Sequence, residues 1–112
     1  MGKFEIVKRK NGEFQYNLRA ANSEIILTSE GYIAKASCKK GIESVKKNSS
    51  MIEQFESKKA KNGKFYFNLK AANGQIVGTS EMYESETARD NGIASVQKNA
   101  PDAKVVDLTF DK

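Results

Sequence analysis

Two stretches of this chain decide its fold, because the second repeats the first. Phe4–Asn48 reads FEIVKRKNGEFQYNLRAANSEIILTSEGYIAKASCKKGIESVKKN, and Phe55–Asn99 reads FESKKAKNGKFYFNLKAANGQIVGTSEMYESETARDNGIASVQKN. A shift of 51 positions aligns them without a gap, and 23 of the 45 aligned pairs are identical by direct count. Such self-similarity indicates a duplicated structural unit. A unit of about 50 residues buries too little surface to be comfortably stable alone, so we expect the two halves to share one core.

Each repeat is predicted to begin with a meander of three β-strands. In the first repeat these strands are Phe4–Lys8, Phe14–Ala20 and Ile25–Ser29. Asn11-Gly12 separates the first two strands, and this dipeptide is a strong hairpin signal. The second repeat carries the same dipeptide at Asn62-Gly63, so the same meander is predicted there.

The alternation of apolar side chains predicts the register of the hairpins. A three-residue turn with a left-handed glycine aligns Phe4 with Leu18 on the buried face, whereas a two-residue turn would mix the two faces. We therefore predict the bulged turn. For Asn22-Ser23 we predict a tight two-residue hairpin, which places Ala20 beside Ile25 on the inner face. In the second repeat the predicted core face consists of Phe55, Phe65, Phe67, Leu69, Ala71 and Ile76.

A helix is predicted after each meander, over Lys35–Lys47 and Glu86–Lys98. Cys38, Ile42 and Val45 lie at helical spacing and form an apolar stripe on the first helix. Gly41 and Gly92 lie in the middle of the two helices, where glycine costs about 1 kcal/mol relative to alanine. We therefore expect each helix to approach the sheet closely at its glycine.

The starts of the two predicted helices differ. Ser85 is a good N-cap for the second helix, whereas Ala34 occupies the matching position before the first and costs about 1 kcal/mol of helix stability. Ile52–Lys59 and Val105–Leu108 are the strands that follow the helices. The predicted fold is α+β, with two tandem pseudo-symmetric β3-α-β repeats in the order βββ-α-βββ-α-β. We expect residues 1–112 to form a single domain whose repeats span about 3–54 and 55–108.

Three sequence motifs of the first repeat recur in the second and resemble those of the YegP-like family of small bacterial proteins. They are Asn17–Asn22 (NLRAAN), Thr28–Tyr32 (TSEGY) and Gly41–Asn48 (GIESVKKN). The resemblance covers nearly the whole chain and implies a β3-α-β unit carried in tandem. The family has no established activity, so the resemblance implies no catalytic residue. Ala34 and Cys38 depart from the family pattern without affecting the expected fold.

The composition argues against several classes of enzyme and site. The chain has no histidine, which removes the commonest general base and the commonest metal ligand. We therefore expect a non-enzymatic protein without a cofactor or a bound metal. The single cysteine, Cys38, cannot form an internal disulfide, and no secretory leader is evident, so a cytoplasmic location is expected. No apolar run is long enough to cross a membrane.

Polar residues that both repeats keep provide the candidate binding surface. The predicted register places them on the sheet face away from the helices, where the alternative interpretation is a solvated surface with cross-strand hydrogen bonds. These residues are Asn17, Arg19, Thr28, Glu30, Asn68, Lys70, Thr79 and Glu81. The expected partner is an unknown protein or a small polar ligand, and internal duplication favours a monomer.

Two other functions are weighed against this one. The net charge of +5 lies mostly in residues 1–54, with 10 basic against 6 acidic residues, or +4. The alternative is therefore weak nucleic-acid binding through a basic face of the first helix. That face consists of Lys35, Lys39, Lys40, Lys46 and Lys47. A third hypothesis is a carboxylate/tyrosine enzyme at Glu30-x-Tyr32 and Glu81-x-Tyr83, although a structural role for both turns is favoured.

Overall fold

The computed structural model of the chain describes residues 2–109. Its strands are β1 (Lys3–Lys8), β2 (Phe14–Arg19), β3 (Ile25–Thr28), β4 (Phe55–Lys59), β5 (Phe65–Lys70), β6 (Ile76–Thr79) and β7 (Lys104–Asp107). Its helices are α1 (Lys35–Asn48) and α2 (Glu86–Asn99), and a short 3-10 turn at Ile52–Gln54 precedes β4. The predicted α+β class and the order βββ-α-βββ-α-β are confirmed. Neither described helix is long and apolar enough to cross a membrane.

The two meanders form one continuous seven-stranded sheet, in the order β4-β5-β6-β3-β2-β1-β7. At its centre β3 pairs with β6 in antiparallel orientation through Thr28 and Thr79, which are equivalent positions of the two repeats. Two equivalent residues that face each other in this way lie on a twofold axis, as in the interface of a symmetric dimer. The repeats are therefore joined like the two halves of a homodimer.

Each helix packs against strands of both repeats on one face of the sheet. α1 contacts β2 of its own repeat and β5 and β6 of the other, while α2 contacts β5 and β3. The hydroxyl of Tyr16 also donates a hydrogen bond to the backbone carbonyl of Val77 in the other repeat. The largest fully buried side chains come from both repeats: Phe4, Ile6, Tyr16, Leu18, Leu27, Ile42, Val45, Phe67, Leu69 and Val96. The core is thus shared across the pseudo-twofold axis.

The turn between β1 and β2 is the predicted three-residue bulged turn. The amide of Gly12 donates to the carbonyl of Arg9 over 2.9 Å, and Gly12 has a φ of +88°. This backbone conformation suits glycine, because a Cβ makes a positive φ sterically unfavourable for other residues. The resulting register aligns Phe4 with Leu18, so the predicted pairing is confirmed.

The prediction of a two-residue hairpin at Asn22-Ser23 is wrong. The turn is again a three-residue one, in which the amide of Ala20 donates to the carbonyl of Glu24 over 2.9 Å and Ser23 has a φ of +73°. The added residue shifts the register, so Ile25 pairs with Arg19 instead of facing inward beside Ala20. A β-bulge then restores the pairing of β2 with β3.

The equivalent bulge of the second repeat, between Leu69 and Lys70, shows that one predicted core residue is wrong. Lys70 pairs with Ile76, which therefore lies on the outer face and is 47% exposed, while Val77 is buried in its place. Periodicity could not show this, because a bulge reverses the face of every residue between it and the turn.

The predictions for the helices are confirmed. The Oγ of Ser85 accepts a hydrogen bond from the amide of Ala88 over 3.0 Å and caps α2, whereas Ala34 gives α1 no side-chain cap. A Cβ at Gly41 would lie 2.7 Å from the hydroxyl of Tyr32, and one at Gly92 would lie 2.5 Å from that of Tyr83. Because the two glycines lack a Cβ, the tyrosine rings can pack directly against the helices.

The two edges of the sheet differ, although their strands β1 and β4 are equivalent. β7 pairs in parallel with β1, but β4 has only β5 beside it among the described strands. β1 carries Ile6 and Val7 where β4 carries Ser57 and Lys58. Lysine at a free strand edge is a common device against edge-to-edge aggregation. The two repeats have therefore diverged according to whether an edge is covered.

We predict that Ser57→Ile combined with Lys58→Val causes self-association through the edge strand β4. The double variant should self-associate in a concentration-dependent way, because it presents an apolar, unpaired strand like β1 without β7. Sedimentation velocity over a range of protein concentrations measures this. Ser37→Ile with Lys39→Val, on exposed positions of α1, adds the same side chains away from an edge and should sediment like the wild type. A double variant at β4 that sediments like the wild type would refute this account of the edge.

Candidate functional site

The predicted outer-face residues form one row that crosses the sheet at right angles to its strands. Successive pairings join Glu56, Asn68, Thr79, Thr28, Asn17 and Glu5. The row reads Glu-Asn-Thr-Thr-Asn-Glu and is palindromic about the pseudo-twofold axis. With strands about 4.8 Å apart, it extends over about 24 Å. The structure therefore brings Asn17, Thr28, Asn68 and Thr79 together, with Arg19 and Lys70 beside them.

The two asparagines of this row are engaged within the protein. The Oδ1 of Asn68 accepts from the hydroxyl of Thr79 over 2.8 Å, and the Oδ1 of Asn17 accepts from the Nε2 of Gln15 over 2.8 Å. Asn17 is only 9% exposed and Asn68 only 6%. Side-chain amides with so little exposure can form few hydrogen bonds with a partner. The geometry favours the interpretation of the row as a structural ladder, because the hydroxyl of Thr79 donates across strands to Asn68 and that of Thr28 to the carbonyl of Thr79.

The basic residues beside the row neutralise its two ends. Arg19 donates to Glu5 over 2.6 Å, and Lys70 lies 3.2 Å from a carboxylate oxygen of Glu56. The hydrogen bond from Arg19 lowers the pKa of Glu5, and that from Lys70 lowers the pKa of Glu56. Both carboxylates therefore stay ionised and paired at neutral pH.

The other two predicted residues, Glu30 and Glu81, lie apart from the row, beyond the ends of β3 and β6. Both are exposed, and Glu81 lines an open cleft beside Arg19. Burial raises the pKa of the neighbouring Tyr32 and Tyr83, whose backbones pair with β2 and β5. A carboxylate that acts as a general acid at neutral pH needs a raised pKa, which burial would provide. Exposure of both carboxylates gives the enzyme hypothesis no support.

The lysines of α1 differ in what they contact. The ammonium of Lys35 donates to the carboxylate of Asp107 over 2.8 Å, which is the main reason why the pKa of Asp107 falls to about 2. Lys39 and Lys40 lie beside Val105 of β7, and Lys40 also lies with Lys47 near the β5–β6 turn. Lys46 is half-buried.

Cys38 belongs to the core, as predicted. Its side chain is fully buried, and burial raises the pKa of its thiol to about 11.

Two clefts between the repeats were not predicted. The α2 cleft, of about 700 Å³, lies between α2 and the β2–β3 turn; the α1 cleft, of about 420 Å³, lies between α1 and the β5–β6 turn. Each therefore joins the turn of one repeat to the helix of the other. The α2 cleft is lined in part by Ala20, Ala21, Asn22, Ser95, Lys98 and Asn99. The α1 cleft has the equivalent residues Ala71, Ala72, Asn73, Ser44, Lys47 and Asn48.

Internal hydrogen bonds give the two clefts the same polar lining. Asn48 is buried, and its Nδ2 donates to the carbonyl of Ser44, one turn earlier in α1, over 2.8 Å. Asn99 does the same for Ser95. In the turns, the Oδ1 of Asn73 accepts from the amide of Gln75 over 3.0 Å. The Nδ2 of Asn73 donates to no described residue, so it is available for a ligand.

The repeated sequence motifs contained the signal for these clefts. NLxAAN supplies both turns and GIxSVxKN supplies both helix faces. The twofold arrangement, which places each turn against the helix of the opposite repeat, could not be deduced from the sequence.

Comparison with known proteins agrees with this duplicated architecture. The model of a family described as Domain of unknown function (DUF1508) matches the chain twice, over residues 10–55 and 60–107. The chain belongs to this family.

Its relatives include the UPF0339 protein YegP of Escherichia coli strain K12, which is 52% identical over 108 residues, or 96% of this chain and 98% of that protein. A UPF0339 protein of Acinetobacter baylyi is 56% identical over 108 residues, or 96% of this chain and 97% of its own length. The solution structure of E. coli yegP covers 99% of this chain and 96% of its own, with a TM-score of 0.93 and 50% identity. That of a Shewanella oneidensis UPF0339 protein covers 96% and 91%, with a TM-score of 0.90 and 50% identity. The resemblance to YegP-like proteins is confirmed, and these names specify no function.

We predict that Asn17→Ala and Asn68→Ala each lower the free energy of unfolding by about 0.5–1.5 kcal/mol, because each removes a partly buried hydrogen bond. Urea denaturation followed by circular dichroism measures the change. Lys10→Ala, in the exposed turn after β1, is the control and should cost under about 0.5 kcal/mol. If both asparagine variants are as stable as this control, the row is not a structural ladder.

Proposed function

We propose that the protein is a non-enzymatic binding protein of the cytoplasm, which holds a small polar ligand in each of the two clefts between its repeats. One observation carries this proposal. The clefts share eight equivalent lining positions, of which six have the same residue in both: two alanines, the turn asparagine, the serine, the lysine and the helix-terminal asparagine. Across the whole repeat only 23 of 45 positions are identical.

Several of these retained residues are exposed, so burial in the core does not explain their retention. Lys47 and Lys98 are exposed, and so are Ala21 and Ala72 at the turns. Small residues at the turns keep the clefts open, and volumes of about 420 and 700 Å³ suit a small molecule. The polar groups that line each cleft can fix the orientation of a bound ligand.

The same arrangement supports a monomer as the working form. The pseudo-twofold axis already provides both copies of the cleft within one chain, so a second chain adds no missing residue. The lone buried thiol of Cys38 fits a reducing compartment.

Nothing in the geometry favours the nucleic-acid alternative. Lys35 is held by Asp107, and Glu43 lies between the remaining lysines of α1. Among residues 2–109, no aromatic side chain that could stack on bases lines either cleft. The docking of a protein on the outer sheet face is disfavoured for a different reason, since its asparagines are engaged internally.

We predict that filling both clefts abolishes ligand binding without unfolding the protein. Ala21→Leu combined with Ala72→Leu inserts a large side chain at each turn. Titrations followed by ¹H–¹⁵N correlation spectra use inorganic phosphate, L-glutamate, L-glutamine and ribose as probes. At least one probe should shift amides of the clefts in the wild type, and the double variant should lose these shifts.

Ala36→Leu, at an exposed position of α1 outside both clefts, is the matched control and should bind like the wild type. The proposal fails if no probe shifts the cleft amides, or if the filled variant binds as well as this control.

A further inference from the structure

The two clefts differ in charge, although most of their lining is the same. At two of the eight shared positions the α1 cleft has Lys40 and Glu43 where the α2 cleft has Asn91 and Ala94. Lys40 and Lys47 against Glu43 give the α1 cleft a charge of +1. In the α2 cleft, Asp102 offsets Lys98 and leaves no net charge.

The ammonium groups of the α1 cleft are available. Neither Lys40 nor Lys47 forms an ion pair or a side-chain hydrogen bond with any residue between 2 and 109. Lys35 and Lys70, by contrast, are engaged by Asp107 and Glu56. The α1 cleft thus combines two unpaired cations with a concave surface.

The polar groups around these cations are mostly donors. The Oδ1 of Asn73 is taken by the amide of Gln75, so its Nδ2 is the free end. The hydroxyl of Ser44 accepts from the Nδ2 of Asn48 over 3.2 Å and keeps its own proton to donate. The backbone amides of Ala72 and Asn73 donate to no described residue, because the turn uses those of Ala71 and Gly74.

We propose that the α1 cleft is an oxyanion site that takes the phosphate group of a small molecule, while the α2 cleft takes an uncharged polar group. This inference rests on the proposed function and names the ligand class for one of its two clefts. Charge-assisted hydrogen bonds from the two lysines give the affinity. Phosphate is favoured over carboxylate because its oxygens can accept from the lysines, Ser44 and the turn at once. Glu43 disfavours a more highly charged ligand and limits the strength of binding.

The test is a titration of the full chain with inorganic phosphate, at an ionic strength held constant with chloride and followed by ¹H–¹⁵N correlation spectra. We expect saturable shifts at Ala72 and Asn73 and none at Ala21 and Asn22. Lys40→Gln with Lys47→Gln should weaken binding at least about tenfold. Lys98→Gln, the equivalent change in the α2 cleft, should alter the affinity for phosphate less than about twofold.

A second variant tests the origin of the selectivity. Asn91→Lys places in the α2 cleft the charge that Lys40 gives the α1 cleft, so phosphate should then also shift Ala21 and Asn22. Acetate and a short single-stranded RNA are parallel probes. Acetate should bind more weakly than phosphate, and the RNA should bind no more tightly than phosphate.

Several outcomes would overturn the inference. They are shifts that do not saturate, equal shifts in both clefts of the wild type, unchanged affinity in the double lysine variant, or acetate binding as tightly as phosphate. RNA that binds more tightly and also shifts Lys39 and Lys46 would indicate a nucleic-acid surface instead. If L-glutamine or ribose shifts the cleft amides while phosphate does not, this inference fails and the proposed function stands. If no probe shifts them, both fail.

Discussion

The antiparallel contact between β3 and β6 is the constraint on which the rest of the structure depends. Because Thr28 faces its own counterpart, Thr79, the two repeats are related by a twofold axis through the middle of the sheet. That single pairing decides which strands lie under each helix. It also explains why the polar row on the outer face is palindromic, and why each turn approaches the helix of the other repeat. The clefts are a geometric consequence of the axis.

Departures from the symmetry show where equivalent residues of the two repeats have different structural roles. Tyr16 is buried and donates to the carbonyl of Val77, whereas its counterpart Phe67 has no hydroxyl to offer. β1 is apolar where β7 covers it, and β4 is polar where it forms an edge. The helix faces likewise differ in charge at the clefts. The edges and clefts diverged according to their surroundings.

The sequence predicted the elements well because the repeat supplied each pattern twice. The helices, the Ser85 cap and the Gly12 turn followed from local chemistry that tertiary contacts did not alter. The prediction for Ile76 was wrong because Ser23 and Gly74 adopt left-handed conformations that add a residue to each turn. The clefts were missed for another reason. Ala72 and Lys47 belong to different repeats, and only the pairing of β3 with β6 brings them together.

Neither repeat should form a stable fold without the other, and the folding of one repeat by itself tests this most directly. A fragment of residues 1–50 contains β1–β3 and α1 but lacks β5 and β6, against which α1 packs. Chemical denaturation should give either no cooperative transition or one whose midpoint rises with protein concentration, as two fragments pair about the axis. Adding the fragment of residues 51–112 should restore a cooperative fold. A fragment of residues 1–50 that unfolds cooperatively as a monomer, at a midpoint independent of concentration, would contradict the account.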